Sequence, residues 1–387
     1  MRPRIIVSAG ERSGDTHAAS LVREVLRRRP EVEFEGFGGE LLAQAGCRLH
    51  EDLVGVASMG FGFVAHLRKY CRVVAAFDRL LREEQPACVV LVDSPGINFV
   101  LARLATWRGV PVVYYICPQI WAWAPWRLTK VLRYTDLLLT ILPFEEGLYR
   151  NDLVPVVPVG HPVGDSLALL PETAGRELRQ RLRVRPEDRV IAILPGSREH
   201  EVVDLMPLFR RIIDCMELAP SSHRLLISSF KEEFRAAVED SLLGCRIPHE
   251  VLADDSRVIT QASDLVLVAS GTASLEVAFF EKPMLVLYRA GHVQRFLYDL
   301  FSVTPFFAMP NILGAGLNGG KPVVLERLCT GNEAEELAPI AKELLCDGPA
   351  RRESIQRLRL LRERVIAPGA TARAAGALLE FMDSARL

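Results

Sequence analysis

Asp93 closes the apolar run Cys88-Val89-Val90-Leu91-Val92 and is followed at once by Ser94-Pro95-Gly96. A carboxylate at the end of such a strand, at the mouth of a cleft, is a candidate general base. The competing reading is an N-cap for the helix that follows. A second strand-end carboxylate lies in Ser8-Ala9-Gly10-Glu11-Arg12-Ser13-Gly14-Asp15. Its glycines permit a tight turn and close ligand approach. Glu11 would point into the same cleft, unless the segment is simply a strand-to-helix turn with Asp15 as its N-cap.

Two further segments suit a phosphate. Leu194-Pro195-Gly196-Ser197-Arg198 offers backbone N–H groups beside one guanidinium. Ala269-Ser270-Gly271-Thr272-Ala273-Ser274-Leu275-Glu276 lies between a strand and a helix. The amides at Ser270, Gly271 and Thr272 and the positive helix end can hold a diphosphate without a metal. Glu276 is one turn inside that helix, within reach of ribose hydroxyls; the plainer reading is a solvent-facing residue of a capped helix. Gly314-Ala315-Gly316-Leu317-Asn318-Gly319 matches G-x-G-x-x-G only as a string. It leaves no clear strand, and Lys321-Pro322 follows where a helix should run, which argues against a nicotinamide site.

These segments need strands and helices to carry them. Short β-branched runs alternate with longer helical patterns, the signature of parallel sheets covered by helices. Strands are predicted near 4–8, 87–92, 112–116, 136–140 and 154–159, and again from 189, at 189–194, 223–228, 265–269 and 284–288. Helices are predicted near 16–29, 57–84, 99–108, 143–150, 199–218, 231–243 and 273–280, and from Glu333 onward with a break at Pro368-Gly369. The Pro-containing stretch 160–189 reads as the link. The expected division is therefore 1–165, 166–366 and a C-terminal helix 367–387 that packs back on the first domain. Two doubly wound α/β halves would face each other across one cleft, with ligands beyond the carboxyl ends of the strands.

Composition narrows the class. The chain has 387 residues, of which 49% are hydrophobic and 25% charged, and a net charge of -1. That suits about two folded domains and supplies no global field for nucleic acid. None of the eight cysteines stands in a C-x-x-C pair or at zinc spacing, so neither a metal site nor a disulfide framework is expected, and a reducing cytoplasm is. No signal peptide is expected at the N-terminus, and no apolar stretch is long enough to span a membrane. Two clusters instead suit a surface between water and lipid. Leu53–Leu67, with Met59, Phe61 and Phe63, is followed by Arg68, Lys69 and Arg72; it fits interfacial docking or a core helix equally. Trp121, Trp123 and Trp126 precede Arg127, Lys130 and Arg133; they fit such a surface or inter-domain packing.

Taken in order, SAGERSGD, GFGGELLAQAGC, SMGF, VDSPGINF, YYICPQIWAW, LPFEEGLY, VGHPVGD, LPGSREHEV, ASGTASLE, PMLVLYR and MPNIL run from residue 8 to about 312. As a set they resemble the lipid-A-disaccharide synthase family. The resemblance implies a GT-B-like fold of two Rossmann-like domains. It implies an inverting, cofactor-free and metal-independent glycosyltransferase at the inner face of the inner membrane. UDP-2,3-diacylglucosamine would be the donor and 2,3-diacylglucosamine 1-phosphate the acceptor. The product would be a β-1,6-linked disaccharide 1-phosphate, made by a chain that can form a homodimer.

On this reading Asp93 is the base and Glu11 assists or positions substrate. Gly196, Ser197, Arg198, Ser270, Gly271, Thr272, Glu276, Arg289 and Asn311 bind UDP. Met59, Phe61, Phe63, Trp121 and Trp123 face acceptor or membrane. Two departures stand out. LGAGLNGGKPVVLERLCTG after Asn311 is longer and richer in glycine than the family's segment, with Glu326 in place of its Glu but Leu328-Cys329 where Gln is expected. Cys117 replaces the serine of S-P-x-x-W-A-W. The alternatives are a similar fold acting on a soluble UDP-sugar, such as a UDP-N-acetylglucosamine epimerase, and a binder without catalysis.

Overall fold

The computed structural model describes residues 2–53, 63–123, 125–150, 153–196, 198–229, 232–289, 304–317 and 319–384. The chain divides into two compact units, Met1–Pro162 with Pro368–Leu387, and Val163–Ala367.

In the first unit the strands are β1 (Arg4–Ala9), β2 (Glu33–Gly38), β3 (Cys47–Asp52), β4 (Cys88–Val92), β5 (Val112–Tyr115), β6 (Leu137–Thr140) and β7 (Val156–Pro158). They form one seven-stranded sheet in the order β3-β2-β1-β4-β5-β6-β7. Every ladder in it is parallel. Between the strands run α1 (Arg12–Arg28), α2 (Glu40–Gln44), α3 (Phe63–Glu83), α4 (Pro95–Trp107), α5 (Ile120–Trp123), α6 (Leu128–Arg133) and α7 (Glu145–Tyr149). Burial on both faces explains why β4, CVVLV, shows no polar alternation: all five of its residues are buried. From α3, Val73, Phe77, Leu80 and Leu81 recur at helical spacing and enter the core with Ile6, Phe37, Leu91 and Tyr114.

The second unit repeats the plan. Helices α8 (Val163–Ala168) and α9 (Ala174–Arg181) come first. Strands β8 (Arg189–Leu194), β9 (His223–Ser228), β10 (His249–Leu252), β11 (Leu265–Ala269), β12 (Met284–Arg289) and β13 (Leu325–Cys329) follow. They alternate with α10 (Glu199–Cys215), α11 (Glu232–Ser241), α12 (Ser256–Ala262), α13 (Ala273–Phe279) and α14 (Met309–Ala315), before α15 (Ala334–Leu345) and α16 (Pro349–Val365). The six-stranded sheet has the order β10-β9-β8-β11-β12-β13. Its core joins Ile191, Phe209, Leu267, Leu285 and Leu337.

The stretch 160–189 carries α8 and α9. Its helix α9 lies against α12, where the Gly175 N–H donates to Gln261 Oε1 at 3.0 Å. A side chain at Gly175 would meet Gln261 at 2.6 Å, so the close approach needs glycine. After α16 the chain returns to the first unit as α17 (Ala370–Ser384). Arg29 Nη1 donates to Asp383 Oδ1 at 2.8 Å, and Arg373 Nε to the Val159 carbonyl at 2.8 Å.

Both sheets reverse their strand order at one place, between β1 and β4 and between β8 and β11. In open parallel sheets the loops at that reversal diverge and leave a crevice for ligand beyond the carboxyl ends. Glu11 and Asp93 sit at the first crevice, and Gly196 and Arg198 with Ser270–Glu276 at the second.

Candidate functional site

In the first unit the loops after β1 and β4 touch. A Cβ on Gly10 would come within 2.9 Å of the Ser94 hydroxyl, and one on Gly14 within 4.0 Å of Asp93 Cβ. Between β4 and α4 the chain passes through two successive left-handed residues, Asp93 at φ 48° and Ser94 at φ 45°. Such a conformation costs a non-glycine residue about 1–3 kcal/mol, so its surroundings must impose it. Ser94, not Asp93, takes the N-cap position, and Pro95 then fits the first turn of α4. The carbonyl of Asp93 accepts from Tyr114 Oη at 2.7 Å and from Asn98 Nδ2 at 2.8 Å. Its N–H donates to the Tyr115 carbonyl at 3.2 Å.

The carboxyl of Asp93 is pushed up to about 6, first by burial and then by the charge of Glu11, against an opposing hydrogen bond from the Ser94 N–H. Such a group is ionised at pH 7 yet basic enough to take a proton. Glu11 is exposed at the N-cap of α1. Asp15 does not cap its own helix. It is buried and accepts from the N–H groups of Gly39 at 2.7 Å, Leu41 at 3.1 Å and Leu42 at 3.3 Å, so it caps α2. Asp15→Ala should therefore cost about 2–3 kcal/mol, because it strands buried donors. A thermal melt unchanged by the substitution would contradict this.

In the second unit the two segments expected to hold phosphate follow neighbouring strands, β8 and β11. Gly196 follows β8 at φ 120°, and a Cβ there would meet the Glu201 carboxylate at 2.4 Å, so this turn requires glycine. Ser197 lies outside the described residues. Arg198 is the N-cap residue of α10; its side chain is 72% exposed and pairs with Glu201 at 3.2 Å.

After β11, the Ser270 N–H donates to the Leu287 carbonyl at 2.8 Å, and the Ser270 hydroxyl to the Phe307 carbonyl at 3.3 Å. This corrects the expectation of three anion-binding amides: that of Ser270 is used in the sheet, which leaves Gly271 and Thr272. Gly271 is exposed at φ 154°, and Thr272 is the N-cap of α13. One turn on, Glu276 is mostly buried rather than solvent-facing, and burial pushes its carboxyl up to about 7. Arg257 opposes that rise, Asp255 adds to it, and the Ser256 hydrogen bond lowers it. At the end of β12, Arg289 Nη1 donates to the Asp204 carbonyl of α10 at 2.9 Å.

Asn311 is different. It has no exposed surface. Its Oδ1 accepts from the Val323 and Val324 N–H groups at 2.7 and 2.9 Å, and its Nδ2 donates to the Val324 carbonyl at 3.0 Å. The side chain expected to touch a nucleotide instead bolts α14 to the chain entering β13. Glu326 completes that bolt: its carboxylate accepts from the Phe307 N–H at 3.2 Å and the Ala308 N–H at 2.7 Å. The string Gly314–Gly319 begins inside α14 and does not follow a strand.

Of the residues expected to face acceptor or membrane, Met59 and Phe61 lie outside the described residues, as do the side chains of Phe63 and Trp123. Leu53, at the start of that run, is buried in the first core. Trp121 is 3% exposed, which removes it from any surface. Its ring meets Phe144 edge-on at 5.0 Å, and its Nε1 donates to Glu145 Oε1 at 3.4 Å. Among the described side chains of that cluster, Trp126 is exposed. Sequence reasoning missed the residues around Asp93: Ser8, Asn98 and Tyr114. One signal was available, since Asn98 is a lone amide in an otherwise apolar first half of α4.

A family model described as Lipid-A-disaccharide synthetase matches residues 5–361. The chain is 33% identical over 386 residues to the lipid-A-disaccharide synthase of Myxococcus xanthus, covering 100% of this chain and 99% of that one. It is 36% identical over 314 residues to the one from Alcanivorax borkumensis, covering 80% and 81%. Among solved structures, a putative UDP-N-acetylglucosamine 2-epimerase from Listeria monocytogenes superposes with a TM-score of 0.68 at 15% identity, covering 99% and 98%. Acinetobacter baumannii MurG gives 0.64 at 13%, covering 98% and 100%. At such identities these likenesses show the fold, a GT-B-like pair of α/β units.

Proposed function

The chain belongs to the lipid-A-disaccharide synthase family, and from that premise we propose that it joins UDP-2,3-diacylglucosamine to 2,3-diacylglucosamine 1-phosphate with Asp93 as the base. It is a glycosyltransferase of lipid A disaccharide synthesis. In the proposed step the acceptor's 6-hydroxyl attacks the anomeric carbon from the side opposite UDP. The O–H proton passes to Asp93, the new C–O bond forms, and the bond to the diphosphate breaks. Negative charge then grows on the leaving diphosphate, where preorganised donors count most. Arg198 and the amides of Gly271 and Thr272 supply them, with Arg289 at the neighbouring strand end.

The observation that carries this reading is the turn at Asp93, two strained residues pinned at the crevice with a carboxyl raised to about 6. The test is a reaction of purified protein with both acylated substrates in mixed micelles. UDP and a disaccharide 1-phosphate should appear in equal amounts by mass spectrometry. Epimerisation of UDP-N-acetylglucosamine, or no product, would refute the proposal. Among the described residues no helix is long and apolar enough to cross a membrane. Acylated substrates would bring the protein to a lipid surface, and flotation with anionic vesicles checks this.

Glu276 is proposed to hold the ribose. Its carboxylate form accepts from two hydroxyls, and with a value of about 7 that form is lost as pH falls through neutrality. UDP affinity should drop between pH 8 and 6 in the native protein, and Glu276→Gln should flatten that dependence. A Gln variant whose calorimetric affinity keeps the native pH profile would remove Glu276 from the nucleotide site.

A further inference from the structure

We propose that Asn98 and Tyr114 are positioning residues for the transfer, clamping the main chain of Asp93 so that its carboxylate has one direction to point. The inference rests on the reading of Asp93 as the base. Both peptide groups that flank the Asp93 Cα are held. On one side, the Val92 carbonyl accepts from Asn98 Nδ2 at 3.1 Å, and the Asp93 N–H donates to the Tyr115 carbonyl at 3.2 Å. On the other, the Asp93 carbonyl accepts from Asn98 Nδ2 at 2.8 Å and Tyr114 Oη at 2.7 Å. Two donors fill the two lone pairs of one carbonyl oxygen. They come from different elements, α4 and β5, so the turn is fixed from two directions.

The clamp is itself supported. Ser8 Oγ, from β1, donates to Asn98 Oδ1 at 2.8 Å, which leaves the Asn98 amide nitrogen facing the two carbonyls. Asn98 and Tyr114 are fully buried. The Asn98 N–H donates to the Ser94 carbonyl at 3.2 Å and ties the second left-handed residue to α4. A turn of two strained residues persists only where its surroundings over-determine it. With both peptides fixed, only the side-chain torsions of Asp93 remain, and the Ser94 N–H bonds to the carboxylate. A buried asparagine can simply satisfy a core polar group. Here its two donated bonds both fall on carbonyls that bracket the proposed base.

The experiment compares Tyr114→Phe, which keeps the ring and removes one donor, with Asn98→Ala. Turnover should fall about tenfold in the first and about a hundredfold in the second, as expected when a reacting group is displaced by a fraction of an ångström to an ångström. UDP affinity should stay native. The acid limb of the kcat/KM pH profile should move, because Asp93 would shift relative to its apolar surroundings and Glu11. Turnover within twofold of native, a loss with an unmoved acid limb, or a matching loss of UDP affinity would each overturn the inference. If Asn98→Ala fails to fold, Tyr114→Phe decides alone. Normal turnover in Asp93→Asn would instead sink the base assignment. Loss in Asp93→Asn with native turnover in both clamp variants would sink only the clamp.

Discussion

Asp93→Asn should lose about 10²–10⁴-fold in turnover, the range for removal of a general base, and yet melt at a higher temperature than the native protein at pH 7.5. The two effects share one cause. Burial and the charge of Glu11 raise the Asp93 carboxyl from 3.8 to about 6. The folded state thus holds the proton more tightly than the unfolded chain does. The stability gained from that proton is complete below about pH 3.8 and is gone above about pH 6, a difference of at most about 3 kcal/mol. Asparagine cannot ionise and tolerates the left-handed region better than most residues, so it keeps the turn and escapes the cost. The gain should appear at pH 7.5 and vanish near pH 3.5. Native turnover would contradict the base assignment, and a lower melting temperature at pH 7.5 would contradict the electrostatic account.

Arg198→Ala should weaken UDP binding by about 1.5–3 kcal/mol, roughly ten- to a hundredfold, if one charged hydrogen bond is lost. The structure places this guanidinium at the β8 crevice but leaves it largely exposed and paired with Glu201. Its contribution therefore depends on a diphosphate drawing it from that partner. Charge grows on the leaving group during transfer, so turnover should fall further than affinity. Arg198→Lys should restore only part of the loss, since an ammonium lacks the planar fork that meets two phosphate oxygens. Calorimetry with UDP and initial rates check both statements. Native UDP affinity in the alanine variant would exclude Arg198 from the nucleotide site.

The sequence is legible where burial on both faces writes a strand as a plain apolar run. β4, β8 and β11 stand out for that reason, and the motifs at their ends are found with them. Strands β2, β3, β10 and β13 escape notice. β3, β10 and β13 are edge strands, and their sequences CRLHED, HEVL and LERLC carry charges that an edge tolerates. β2, EFEGFG, hides behind two glutamates and two glycines; Glu35 is buried but meets His50 Nε2 at 2.7 Å. At the site, charged residues at strand ends are legible, whereas the direction of their hydrogen bonds is not. Asn311 and Trp121 look like surface chemistry in one dimension, and three dimensions turn them inward. The Ser8, Asn98 and Tyr114 clamp draws on three elements separated by up to 90 residues between bonded partners, which no local spacing reveals.

Direct displacement through Asp93 has a stereochemical signature. A single attack opposite UDP on an α-linked donor must give a β linkage. The proton spectrum of the purified disaccharide 1-phosphate is therefore the decisive test of the mechanism. One product is expected, joined through O6 of the acceptor, with the large anomeric coupling of a β-glucosaminide. An α linkage, or attachment through another hydroxyl, would contradict it.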